Sequence, residues 1–194
     1  MLVFWKARLV LLAVPKTGTT ALEAALAPSA DAAIVNPPGL KHMTLRKWRR
    51  DLAPVFEQNG RRPMETVAVM RDPVDWLSSW WRYRSRPELD GQKNSTAGIS
   101  FDDFVRDWLS DTPPDHARIG SQATFLEGGV DHLFRHDRPE PLRTFLSKRL
   151  GLAVSTGRAN VSPRRDGKLS DAMEARLRAE RPAEFALWNS LAEG

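Results

Sequence analysis

Leu9 to Val14 is an unbroken apolar run that stops at Pro15, the pattern of a short strand buried on both faces. Thr17-Gly18-Thr19-Thr20 follows, and then Ala21 to Leu26, a strongly helix-forming stretch that ends before Pro28. The order is strand, tight loop, helix. Ile34-Val35 predicts a second short strand, closed by Asn36-Pro37-Pro38-Gly39, and Met43 to Leu52 predicts a basic helix. The pattern then recurs: Thr66 to Met70 is a strand rich in β-branched residues, and Arg71-Asp72-Pro73 leads into a helix from Val74 to about Arg84. Asp72 before Pro73 is a good N-cap followed by a favoured first helical residue. Pro87 to Ser100 reads as loop, and Ser100 to Ser110 as an amphipathic helix with Ser100 and Asp103 at the capping-box offset. Val130 to Arg135 predicts another strand, Pro139 to Leu150 a helix ending at Gly151, and Ser170 to Leu191 a helix interrupted at Pro182. Strands alternating with helices predict an α/β fold of three layers, a mostly parallel sheet flanked by helices.

The length of 194 residues suits one domain over 1–194. With 41% hydrophobic and 27% charged residues the composition is globular, and no repeat or low-complexity tract interrupts it. The chain has no Cys, which excludes a disulfide scaffold, a thiol nucleophile and any Cys-based metal site. Leu9 to Val14 is far short of the roughly 20 apolar residues a spanning helix needs, so no membrane span is expected. Lys6 and Arg8 before that run superficially suggest an export signal, yet Pro15-Lys16-Thr17 stands where a small-residue cleavage site belongs. The expectation is therefore a cytoplasmic protein.

Charge sharpens this picture only where it clusters. Lys and Arg number 29 against 24 Asp and Glu, a formal net charge of +5, and 22 of the basic residues are Arg. Lys41 to Arg50 holds five basic residues and no acid, and Arg158 to Lys168 holds four against the single Asp166. Two such patches point to an anionic ligand. For Lys41 to Arg50 three readings stand side by side: a solvated helix face, a cradle for an acidic glycan, or a nucleic-acid patch.

The most informative segment is Pro15-Lys16-Thr17-Gly18-Thr19-Thr20, between a buried strand and a helix. Backbone N–H groups and the positive end of the helix can surround an anion there. Gly18 permits close approach, Lys16 adds a point charge, and Thr19 and Thr20 add hydroxyl donors. It is not a Walker A loop, because G-x-x-x-x-G-K-[ST] is absent and the Lys precedes the glycine. A second unit repeats the geometry: Arg71 leaves a strand at the same kind of edge, and Ser79 lies two turns into the next helix. Crevices outside the carboxyl ends of parallel strands are where nucleotides sit.

The pairing of Pro-Lys-Thr-Gly-Thr-Thr with Arg71-Asp72-Pro73 and Ser79 resembles the sulfotransferases that use 3′-phosphoadenosine 5′-phosphosulfate (PAPS), closest in motif style to their carbohydrate-directed branch. The resemblance implies a fold like that of P-loop nucleotide kinases. It also implies that Lys16, Thr17, Gly18, Thr19 and Thr20 hold the 5′-phosphosulfate, and that Arg71 and Ser79 hold the 3′-phosphate. Trp80-Trp81 follows Ser79 where relatives often have a pair of aromatic residues. Toward the C-terminus Ser121-Gln122, Val130 to Arg135 and Asn160-Val161-Ser162 are similar to the tail of that branch, and Arg164-Arg165-Asp166-Gly167 is similar to a basic loop that closes on the 3′-phosphate. Arg164, Arg165 and Gly167 are thereby further cofactor-binding candidates. Asp137 departs from the Glu that relatives usually show, and the short chain leaves no acceptor-binding insertion to compare.

Sulfuryl transfer asks a protein to align acceptor and donor and to neutralise the leaving phosphate. Lys16 suits the second task, and a base for the acceptor is also needed. His42 lies between the two motifs, where glycan-directed relatives often carry a catalytic His; Glu23, one turn past the loop, is the rival base. The expected reaction moves a sulfuryl group from PAPS, without a metal, to a hydroxyl or amine of a small-molecule or glycan acceptor, with no nucleic-acid partner. A P-loop-like nucleotide kinase and a non-catalytic basic module for anionic glycan or nucleic acid are the alternatives. The absent Walker A and the lack of a clear metal-binding Asp speak against the first, and the second leaves both strand-end motifs unused. His132 and His136 have the spacing of a metal pair but lie on a strand-like stretch without a third ligand. Trp76, Trp80, Trp81 and Tyr83 suit either adenine stacking or core packing.

Overall fold

The computed structural model describes residues 1–155 and 167–191. Its elements in chain order are β1 (Leu2–Phe4), β2 (Leu9–Leu11), α1 (Thr19–Leu26), β3 (Ala32–Ala33), α2 (Pro38–Lys41), α3 (Leu45–Lys47), α4 (Ala53–Phe56) and β4 (Glu65–Met70). There follow α5 (Pro73–Arg84), α6 (Phe101–Leu109), α7 (Gln122–Phe125), β5 (His132–Arg135), α8 (Pro139–Leu150), α9 (Asp171–Glu180) and α10 (Pro182–Asn189). Within the described residues the chain forms two compact units, the first from 1–71 and 122–155, the second from 72–121 and 167–191.

The first unit is α/β, with five strands in the order β3-β1-β2-β4-β5. β2, β4 and β5 pair in parallel, whereas β1 pairs antiparallel with both β2 and β3. The sheet is thus mixed, which corrects the expectation of a mostly parallel one. The cause lies in the first eleven residues. Leu2-Val3-Phe4 is a strand of its own, and Trp5 to Arg8 turn the chain back, with the Arg8 N–H donating to the Trp5 carbonyl at 3.2 Å and Arg8 at φ 55°. That turn has no Asn-Gly or Asp-Gly to announce a hairpin. The strand near residue 34 also falls earlier than expected, at Ala32–Ala33, where it pairs with β1.

Side chains alternate between the two faces of a strand. On one face Leu2, Phe4, Leu9, Leu11, Val67 and Val69 pack against Leu22 and Leu26 of α1 and Leu142 and Leu146 of α8. Val3, Val10, Ala68 and Met70, which alternate with them, are buried as well. Burial on both faces is why these strands read as continuous apolar runs. The basic segment forms α3, a π-helical stretch at Trp48–Leu52 and α4 rather than one regular helix. Thr44 caps it by accepting from the Lys47 N–H at 3.3 Å, and Trp48, fully buried, stacks on Phe56 at 5.7 Å.

The second unit is helical. Asp72 caps α5 by accepting from the Asp75 N–H, and Ser100 caps α6 by accepting from the Asp103 N–H, as the sequence pattern predicts. Trp76, Leu77 and Trp81 of α5 form one apolar cluster with Phe104 and Trp108 of α6, Leu177 of α9 and Phe185 of α10. The break between α9 and α10 falls at Arg181-Pro182, since proline can neither donate to the preceding turn nor follow a helical residue comfortably. Among the described residues no helix is long and apolar enough to cross a membrane.

Candidate functional site

The loop after β2 is shaped by its own backbone. Leu12 still bonds across to β4, its N–H donating to the Val67 carbonyl at 2.8 Å, and Ala13 and Val14 remain buried. Lys16 (φ 66°) and Gly18 (φ 79°) then adopt left-handed conformations. Gly18 holds the N-cap position of α1, where only glycine takes such a φ at little cost. Thr17 is buried, and its hydroxyl donates to the Val14 carbonyl at 2.9 Å, which ties the loop to the strand that feeds it. Thr19 is buried and Thr20 exposed at the opening turn of α1, and that turn carries no acidic residue.

Arg71 follows β4, the parallel neighbour of β2. The fully buried Gln122 clamps its backbone, accepting from the Arg71 N–H at 3.0 Å and donating to the Arg71 carbonyl at 2.8 Å. The guanidinium reaches the loop itself, Nη1 donating to the Lys16 carbonyl at 3.4 Å. The structure therefore brings Lys16 to Thr20 and Arg71 together at the carboxyl ends of adjacent parallel strands. His136 joins them. Its N–H donates to the Met70 carbonyl at 2.8 Å, and its ring stands 3.7 Å from where a Cβ on Gly18 would lie.

His42 ends α2 and is anchored to the strand before the loop, with Nδ1 2.7 Å from the Ala13 carbonyl. A carbonyl can only accept, so Nδ1 carries the proton and Nε2 holds the lone pair of the neutral ring. Burial lowers the His42 pKa below its ordinary value, and the Lys41 charge adds to that; the Ala13 bond and Glu23 oppose it. Glu23, also buried, is fully engaged: Oε1 accepts from the Met1 ammonium at 3.0 Å and Oε2 from Lys41 Nζ at 2.5 Å.

Ser79 is buried in α5 of the helical unit. Gly167 belongs to that unit too, and packing accounts for it, since a Cβ there would stand 2.6 Å from the Trp81 ring. Arg164, Arg165 and Asn160 to Ser162 lie outside the described residues. Trp76 and Trp81 are core residues, Trp81 donating from Nε1 to the Ile99 carbonyl at 2.8 Å. His132 opens β5 and His136 follows its last residue, and His132 bonds Glu65 at 2.6 Å. Among the described residues no group of three or more His, Asp or Glu is placed to hold a metal ion.

Sequence reasoning missed the clamp of Gln122, the approach of His136 and the engagement of Glu23. Each depends on residues far apart in the chain, for which no local spacing exists. Comparison with protein-family models, with curated proteins and with solved structures returns no match for this chain.

Proposed function

We propose that this chain is a sulfotransferase that uses PAPS, built on a three-layer fold of the nucleotide-kinase kind and working in the cytoplasm. One observation carries the reading: the Arg71 guanidinium donates to the Lys16 carbonyl, so a guanidinium, the Lys16–Gly18 backbone and the N-terminus of α1 share one edge of the sheet. The donor set fits a sulfate or phosphate group. It offers backbone N–H groups, two cations and the Thr20 hydroxyl, with no acid in the first turn of α1, and Glu23 is neutralised by its own partners. Lys16, Thr17, Gly18, Thr19 and Thr20 would hold the 5′-phosphosulfate, and Arg71 with Ser79 the 3′-phosphate. Arg164 and Arg165 belong to the same proposal through the sequence resemblance alone.

When bound, PAPS supplies a sulfuryl group whose bond to the bridging phosphate oxygen breaks as a bond to the acceptor oxygen or nitrogen forms. Lys16 and the N–H groups of the loop offset the charge that gathers on the leaving phosphate. His42, with Nδ1–H fixed on Ala13, presents Nε2 to take the acceptor's proton. Arg71 orients the cofactor through its 3′-phosphate and takes no part in bond breaking. Calorimetry with adenosine 3′,5′-bisphosphate tests the reading. Arg71→Ala is expected to weaken binding by about 1.5–3 kcal/mol, the scale of a hydrogen bond to a charged group. Equal affinity in the wild type and the variant overturns the assignment.

A further inference from the structure

The first unit carries another concentration of positive charge, which none of the residues assigned above shares. Arg46, Arg49 and Arg50 line one open cavity of about 490 Å³ together with Glu127 and Gly128. That volume lies within the range of small-molecule sites.

The local fold explains the cluster. Leu45 and Trp48 are fully buried and fix the segment against the unit. Arg46, Arg49 and Arg50 follow at the three- and four-residue spacing that puts side chains on one helical face, and all three are exposed. Arg49 is pre-positioned, Nη1 donating to the Gly128 carbonyl at 3.1 Å and Nη2 to the Gly129 carbonyl at 2.8 Å. Gly128 has φ 92°, which favours glycine, and a Cβ there would stand 2.9 Å from Arg49 Nη1 and push the guanidinium from its place. Arg50 is held by both carboxylate oxygens of Asp51, at 2.5 and 2.8 Å. Arg46 and Glu127 are different. Among the described residues neither side chain has a hydrogen bond or ion pair, and both face the same cavity.

This arrangement narrows the readings left open for the basic segment. Lys41 is spent on Glu23, Arg50 is half neutralised by Asp51 and Lys47 does not line the cavity, so what lines it is a compact site of mixed sign. Guanidinium forks match an oxyanion, and an unpaired carboxylate beside them accepts from hydroxyl groups. We propose that this cavity binds a small acidic polyol, that is, a phosphate ester, sulfate ester or carboxylate on a sugar-sized body bearing hydroxyls. The anion meets Arg46 and Arg49, and the hydroxyls meet Glu127. The proposal does not rest on the sulfotransferase reading.

Calorimetry on the full chain tests it with glucose 6-phosphate, glucose 6-sulfate, glucuronate, inorganic phosphate and glucose as probes. At least one of the three acidic sugars is expected to bind in the millimolar range or tighter, with glucose at least tenfold weaker. Arg46→Ala should weaken that binding about tenfold, the loss expected for one hydrogen bond to a charged group. Glu127→Gln should bring the acidic sugar and its bare anion closer in affinity. Arg61→Ala, an exposed arginine that does not line the cavity, should change nothing. Binding should also persist in Arg71→Ala and with adenosine 3′,5′-bisphosphate saturating. The proposal is overturned if no acidic sugar binds, if Arg46→Ala binds as the wild type does, or if the bisphosphate competes. The last outcome would assign the sugar to the loop at Gly18.

Discussion

At the level of single residues, chemistry follows from what each side chain is bonded to. His42 and Glu23 were rival bases in the sequence, and their partners separate them. Glu23 answers two cations, whereas His42 gives its Nδ1 proton to a backbone carbonyl and keeps Nε2 unprotonated. The His42 pKa is lowered, chiefly by burial, so the ring is neutral through pH 7 and gains its proton only below the ordinary 6.5. Turnover should therefore fall on the acidic side, and His42→Ala should lose about 100- to 10,000-fold in turnover together with that acidic limb. A variant that keeps wild-type turnover and the same limb places the base elsewhere. Lys16 makes a different prediction. If its charge is needed most as the leaving phosphate develops, Lys16→Ala lowers turnover far more than affinity for adenosine 3′,5′-bisphosphate. Should only the Michaelis constant for PAPS rise, Lys16 is a docking residue. The loop residues were legible because Lys16 to Thr20 are contiguous and Gly18 marks its own turn. The clamp by Gln122 was not, because it meets Arg71 across 51 positions of chain.

Among the elements, local signals reported caps faithfully and sheet edges poorly. Ser100 and Asp72 act at short range and so are visible in sequence, while β1 needed a partner strand to define it. One long-range tie was invisible for the same reason. Glu65, first in β4, accepts from Arg149 near the end of α8 at 2.7 and 3.0 Å and meets His132 of β5. Arg149 also reaches the Ala7 carbonyl, so a single guanidinium joins α8, β4 and the turn of the hairpin. These bonds, Arg149 first, hold the Glu65 pKa at about 2 against an ordinary 4.5. A depressed carboxylate stabilises the fold fully above its unfolded pKa, and the contribution fades as pH falls from about 4.5 toward 2. The carboxylate is 44% exposed, so solvent screening leaves about 1 kcal/mol. Urea unfolding should find Glu65→Gln less stable than wild type by about that amount at pH 7, with the gap narrowing below about pH 4.5 and closing only near pH 2. A gap that is constant with pH would show that the ion pair contributes nothing.

On the scale of the whole molecule, the alternation of strand and helix reported the α/β class of the first unit, and the apolar helical stripes reported the second. The division between them was not legible, because among the described residues each unit is assembled from two separate stretches of chain. Function is likewise a property of the assembled charge. A net +5 attracts many anions weakly, so an anion that merely answers the overall field should bind in proportion to its charge. A built site discriminates by shape instead. Ligand that binds only the folded state stabilises it by RT ln(1 + [L]/Kd), about 2.7 kcal/mol at one hundred times Kd. For a chain of this size that corresponds to a rise in melting temperature of roughly 5–10 °C. Adenosine 3′,5′-bisphosphate should produce such a rise, and ATP, which has a similar charge but no 3′-phosphate, should produce far less. The difference should persist at 0.3 M salt, where a field effect between exposed charges is largely screened. Stabilisation by ATP with magnesium alone would favour a nucleotide kinase. Equal stabilisation by both nucleotides, lost together as salt rises, would reduce the protein to a basic surface.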